Sequence, residues 1–141
     1  MLPPALTLTE AVWRQMVGHA YGGLPEEACG LLAGDPATHH VSAFYPCRNA
    51  AASSRVYTVD ARDHLQADRD AEARGLEIVG VMHSHTHTEP YPSPTDVAQA
   101  PDPAWHYVIV SLKRATAVLR SYRIVDGAIA EEWVGLDRGY C

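Results

Sequence analysis

The sequence predicts a mixed α/β or α+β domain in which one curled, largely antiparallel central sheet is flanked by two or three helices. Three observations predict it. Apolar runs of strand length recur along the chain, one longer segment repeats its apolar residues at helical spacing, and another repeats its arginine and acid residues so. Asp126-Gly127 between two alternating runs is a strong hairpin signal. A length of 141 residues fits one domain, 1–141, with room for a real core.

Leu6-Thr7-Leu8 alternates like a short strand. Thr9 then reads as the cap of a helix running to about Tyr21, with Val12, Met16 and Ala20 on one face and Trp13 and Val17 beside them. Gly22-Gly23-Leu24-Pro25 ends it. Ala28 to Ala33 is wholly apolar and closed by Gly34-Asp35-Pro36, which suits a buried strand. Val41 to Cys47 and the shorter Val56 to Val59 read as further strands. Asp60 can cap a helix that Gly75 stops, its charged residues forming a solvated outer face. Glu77 to His83 is another buried strand, and Ser93-Pro94 opens a short helix. His106 to Leu112, Ala117 to Val125 and Ala128 to Val134 complete the set, the last two joined by the Asp-Gly turn.

Composition narrows the function. A formal charge of −6 with a single lysine disfavours nucleic acid, whose binders show a basic stripe. No apolar run reaches membrane-spanning length, and MLPPALTLTE lacks a basic n-region and an apolar h-region, so no membrane partner is expected. Cys29, Cys47 and Cys141 are odd in number, widely spaced and form no Cys-x-x-Cys pair. They do not read as a disulfide framework, which points to a reducing, cytoplasmic setting.

The chemistry concentrates in Val81–Asp96, VMHSHTHTEPYPSPTD. In an extended chain, side chains two residues apart share a face, so His83 and His85 converge while Ser84 points away. Two imidazoles on one face suit zinc. Ser93, Pro94 and Asp96 stand at the N-cap, N1 and N3 positions of a helix start, and the intervening loop is long enough to bring Asp96 back to the histidines. Two imidazoles and a carboxylate leave a fourth tetrahedral position for water, the arrangement of a catalytic rather than a structural zinc. A carboxylate is still needed to move the water proton, and Glu26 and Glu27, just before the apolar ACGLL strand, are the candidates. Taken singly, each piece has an ordinary reading: a capping box, exposed histidines, solvated turn acids. The combination His-x-His-x7-Ser-x2-Asp should arise by chance on the order of once in a thousand such chains.

That combination, with Glu27-Ala28-Cys29-Gly30-Leu31-Leu32 upstream, resembles the JAMM (MPN+, Mov34-type) zinc metallopeptidases. The resemblance implies one zinc ion per chain with a bound water, held by His83, His85 and Asp96, with Glu27 as general acid/base. Ser93 would hydrogen-bond the developing oxyanion or the water. It also implies the cytidine-deaminase-like JAMM core. HSHTHTEPYPSPTDV, PDPAWHYVIVS and RSYRIVDGAIAEE further resemble a branch of that family, the actinobacterial CysO-cysteine peptidases. This implies a partner, a ubiquitin-like sulfur carrier protein ending Gly-Gly-Cys, whose last amide is hydrolysed to release cysteine. Another ubiquitin-like tail or a small peptide is the alternative substrate. A metal-free scaffold is the alternative without chemistry, although such relatives lack the ligands that this chain keeps. A zinc deaminase is disfavoured because His-x-Glu with Pro-Cys-x-x-Cys is missing. Oligomeric state, a homodimer included, stays open.

Where many bacterial members carry proline after the second histidine, this chain has Thr86. His87 continues the alternation and reads as a loop histidine touching substrate or as a spare ligand at high metal loading; the loop role is favoured because Pro90 and Pro92 imply that the strand has ended. Cys29 reads as a small core residue, Ser84 as structural, and Arg55 as solvated. His19, His39, His40, His64 and His106 read as surface or capping residues, and Trp13, Trp105 and Trp133 as core or edge packing. A Gly-Gly tail would need a narrow groove beside a sheet edge, for which Tyr91–Thr95 and Val56–Val59 are the candidate walls.

Overall fold

The computed structural model describes residues 4–139, so Cys141 lies outside the described residues. The elements are β1 (Leu6–Thr9), α1 (Glu10–Gly22), β2 (Cys29–Asp35), β3 (His40–Cys47), α2 (Ala61–Ala73) and β4 (Glu77–His85). They continue with α3 (Pro94–Ala98), β5 (His106–Ser111), β6 (Val118–Val125), β7 (Ala128–Glu132) and β8 (Val134–Asp137). All eight strands join one sheet in the order β7-β6-β5-β4-β2-β3-β1-β8. Four pairings are antiparallel and three parallel, the parallel ones being β1/β3, β1/β8 and β4/β5.

The curl follows from the connectivity. β7 and β8 stand at opposite ends of the strand order, yet only Trp133 separates them in the chain. The sheet must therefore roll until its two outer strands nearly meet. The N–H groups of Ala5 and Leu6 both donate to the Trp133 carbonyl and fix this junction, while the Trp133 side chain stays exposed.

Each face of the roll carries its own core. Helix α1 inserts Val12, Met16 and Ala20 against Leu6, Leu8, Leu32, Phe44, Met82 and Val108, as its period predicts. The Thr9 hydroxyl caps it by accepting from Val12 N–H. Helix α2 covers the other face, with Ala67 over Cys29, Leu31, Val81 and Ile109 and Ala71 against Ala33 and Ala43. Its small buried residues let the helix lie close to the sheet, and its charged residues remain in water. Asp60 caps α2, and Gly75 follows it with φ +73°.

A bulge where β2 pairs β4, between Leu32 and Ala33, sets the facing of the strand that matters most. Val79 turns to the α1 side, whereas Val81, His83 and His85 face the α2 side. Gly80 permits the close approach of β5, since a Cβ there would sit 2.4 Å from the His106 carbonyl oxygen.

Three expectations are corrected. Val56–Val59 is not a strand: only an isolated Asn49/Val59 bridge forms, because the Val56 carbonyl and Thr58 N–H bond to the Asn49 side chain, which leaves Ala50 N–H to the Thr58 carbonyl as the backbone bond beside that bridge. The final strand breaks at Trp133 into β7 and β8, since its two halves pair with opposite ends of the sheet. His106 is wholly buried rather than at the surface. Its Nδ1 lies 2.5 Å from Glu132 and its Nε2 lies 2.9 Å from His39 Nδ1, so this long-range pairing satisfies both ring nitrogens.

Candidate metal centre

Strand β4 delivers both histidines to one face at its C-terminal end. The α3 capping box delivers the acid: Ser93 Oγ accepts from Asp96 N–H at 3.1 Å, and Ser93 N–H donates to Asp96 Oδ2 at 2.8 Å. His83 Nε2, His85 Nε2 and Asp96 Oδ2 then form a triangle with sides of 3.2, 3.2 and 3.1 Å. All three residues are buried. A tetrahedral ion with ligands at about 2.0 Å requires ligand separations of about 3.3 Å, so the triangle fits zinc.

The proton inventory points the same way. His85 Nδ1 lies 2.8 Å from the Glu89 carbonyl oxygen, which can only accept, so that nitrogen carries a proton. In its neutral form His85 therefore presents a lone pair at Nε2. That nitrogen faces the Asp96 carboxylate and His83 Nε2, and without a cation the three atoms hold together only through protons shared with the carboxylate. A proton can serve one pair of them, whereas a divalent cation serves all three.

The pKa directions reflect this geometry. Burial would raise Asp96, but bonds from His83, His85 and Ser93 N–H hold it far below the usual carboxylate range. Burial depresses His83. Burial acts the same way on His85, but its bonds to Asp96 and the Glu89 carbonyl outweigh it and raise the group. His83 stacks on the Tyr57 ring at 4.3 Å between centroids and 16° between planes. Beyond Tyr57 lies an apolar cavity of about 390 Å³ that also involves Leu31, Val59, Val81 and Trp105.

Glu27 lies two residues ahead of the neighbouring strand, β2. Cys29 pairs with His83, and Ser84 N–H donates to the Ala28 carbonyl, so the same register sets Glu27 across from His85. Ser84 adds a second tie by accepting Ala28 N–H at its Oγ, which is the structural role expected of it. Glu27 is only 4% exposed, and its Oε1 has no hydrogen-bond partner among the described residues. Burial pushes its carboxyl up to about 7, opposed by His85 and reinforced by Asp96. Glu26, by contrast, is exposed. A buried carboxyl poised near neutrality beside three convergent ligands is equipped to accept and return a proton.

The structure thus brings Glu27, His83, His85, Ser93 and Asp96 together. His87 lies exposed past the end of β4, in a loop as expected. Cys29 is buried with its thiol pushed up to about 12, chiefly by burial, which suits a core residue and not a nucleophile. Sequence reasoning missed Tyr57 against His83, the Glu89 carbonyl behind His85, and Asn49, treated below. Two of the three contacts run through backbone atoms, which carry no side-chain signal.

The chain is similar to several known proteins. Residues 9–125 match the family described as prokaryotic homologs of the JAB domain. The CysO-cysteine peptidase of Mycobacterium tuberculosis is 44% identical over 126 residues, covering 89% of this chain and 86% of that protein. A desampylase from Haloferax volcanii is 40% identical over 118 residues, covering 82% and 76%. A solution structure from Desulfitobacterium hafniense superposes with a TM-score of 0.87 at 34% identity, covering 94% of this chain and 93% of the other. A JAB1/MPN domain protein from Archaeoglobus fulgidus shares the fold alone, with a TM-score of 0.60 at 14% identity over 96% and 100% of the two chains. With a family match over most of its length and named peptidases among its relatives, the chain belongs to the prokaryotic JAB (JAMM/MPN) family and is a peptidase.

Proposed function

We propose that the protein is a zinc-dependent peptidase that hydrolyses the terminal amide of a ubiquitin-like sulfur carrier–cysteine adduct, releasing cysteine and regenerating the carrier. The observation that carries the metal chemistry is the 3.1–3.2 Å triangle of His83, His85 and Asp96 with the buried Glu27 beside it. The substrate reading is supported by the 44% identity to a CysO-cysteine peptidase.

His83, His85 and Asp96 would hold the zinc, which when bound supplies Lewis acidity and a water acidified to a pKa of about 7. Glu27 takes a proton from the attacking water and returns it to the cysteine nitrogen as the C–N bond breaks. Water is thereby divided between the carrier carboxylate and the released amine. Ser93 Oγ already accepts the Asp96 amide, so its own O–H is available to donate to the carbonyl oxygen as negative charge builds there. A Gly-Gly tail would thread beside Tyr57 and the Tyr91–Thr95 segment, where bulkier residues would meet the walls.

The test is mass spectrometry of a carrier ending Gly-Gly-Cys after incubation with the zinc-loaded enzyme. Loss of one cysteine residue is the expected result. A second arm uses a ubiquitin-like tail linked to a lysine side chain, the kind of bond that the desampylase relative makes worth testing. Cleavage of the second substrate alone would replace the carrier reading. Cleavage of neither, by a protein that fails to retain zinc when it is supplied, would favour a metal-free scaffold.

A further inference from the structure

We infer that Asn49 is a positioning residue for the hydrolytic site, one side chain that fixes both Glu27 and Tyr57. The inference rests on the roles proposed above for Glu27 and the His83 ligand. Asn49 follows β3 and is half-buried. Its Nδ2 donates to the carbonyls of Glu27 and Val56, both at 3.0 Å, with Ser53 O at 3.4 Å. Its Oδ1 accepts from Ala51 N–H and Thr58 N–H, both at 3.0 Å. These partners fix the amide orientation, because two backbone N–H groups can only donate and three carbonyls can only accept.

The consequence is local order where no secondary structure supplies it. Residues 50–58 contain no strand or helix. The Asn49 amide stands in for the missing ladder by collecting backbone groups at 51, 53, 56 and 58 around one point. The organised loop then reaches the site along three lines. Ser53 O accepts Glu27 N–H at 2.8 Å, Ser54 O accepts the Thr86 hydroxyl at 3.2 Å, and Tyr57 lies flat on the His83 ring. Glu27 is therefore gripped at both its N–H and its C=O by the same loop and the residue that folds it. Its carboxyl Oε1 has no hydrogen-bond partner among the described residues, so the two backbone bonds hold the point from which that side chain extends.

In place of Asn49, aspartate keeps the acceptor and loses both donors, whereas alanine loses everything. Neither touches a metal ligand directly, so zinc should still bind. The expected defect is in turnover, because Glu27 and the Tyr57-backed imidazole lose their relative placement while the ligand triangle persists.

The test compares Asn49→Ala and Asn49→Asp with wild type as zinc-loaded enzymes on the carrier–cysteine adduct. The expected result is one zinc per chain in each, kcat per bound zinc lowered about tenfold or more, and KM within about twofold of wild type. Hydrogen exchange should accelerate at the Glu27 amide and across residues 50–58. The inference is overturned by wild-type kcat per zinc in Asn49→Ala once exchange shows the loop released. It is equally overturned if both variants keep wild-type exchange there, or if activity falls only in step with lost zinc or folded protein. Failure of the wild-type enzyme to cleave the adduct would defeat the substrate reading instead, and exchange at Glu27 would then decide the role of Asn49 alone.

Discussion

Replacing Glu27 with glutamine should stabilise the metal-free protein at alkaline pH while abolishing its activity. Burial lifts the carboxyl from its ordinary 4.5 to about 7. The folded state therefore holds this proton more tightly than the unfolded chain does. The associated stability is fully present below pH 4.5 and is lost as pH rises through 7. The two values are about 2.5 pH units apart, and each unit corresponds to about 1.4 kcal/mol, so the ionised carboxylate costs about 3 kcal/mol at pH 8. The group is only 4% exposed, so solvent screening does little to reduce this figure. Glu27→Gln has no charge to bury. In urea unfolding of chelator-treated protein followed by circular dichroism, the variant should match wild type near pH 4 and exceed it by about 3 kcal/mol at pH 8. Restoring zinc should shrink the gap, because a cation beside the carboxylate offsets its burial. Hydrolysis of the adduct by the zinc-loaded variant should be lost. Equal stability at both pH values would refute the burial argument, and undiminished turnover would remove Glu27 from proton transfer.

Further outcomes follow from the same geometry. His83→Ala or Asp96→Asn should lower zinc stoichiometry well below one per chain by elemental analysis; full occupancy in either would dismiss the triangle as the binding site. Ser93→Ala removes both the α3 cap and the free hydroxyl, so it should cost about 1 kcal/mol of stability and about 10² in kcat. A stability loss with unchanged kcat would reduce Ser93 to a cap. Glu132→Ala strands the buried His106 Nδ1 and Ser121 Oγ, and should destabilise by about 3–5 kcal/mol in thermal or urea unfolding without altering kcat per folded molecule. A cost below about 1 kcal/mol would show that water relieves the break.

The site was more legible in the sequence than its supports. Alternation alone puts His83 and His85 on one face, and Ser93-Pro94-Thr95-Asp96 writes its capping box in four consecutive letters. Asp126-Gly127 likewise announces its turn, and both residues adopt the positive φ that it requires. Such features are local, so spacing encodes them. Asn49 acting on Glu27 spans 22 residues, and His106 on Glu132 spans 26. Nothing in spacing marks those pairs, since an asparagine in a loop or a histidine at a strand start has many ordinary uses. Val56–Val59 looked like a strand because its apolar letters fit one. What decided otherwise was where its hydrogen bonds found partners.

The single-residue passage through Trp133 turns the rolled sheet into something like a hoop with a clasp. Strand β1 has β8 as a neighbour only because the chain crosses there, and β8 follows β7 without slack. Prising either rim outward must drag on the other. Fraying at residues 128–137 is thus expected to spread to the amino-terminal strand rather than stay local. A protease nick beside this exposed tryptophan would uncouple the rims, and release of β8 or β7 would bare the edge of β1 or β6 for intermolecular pairing.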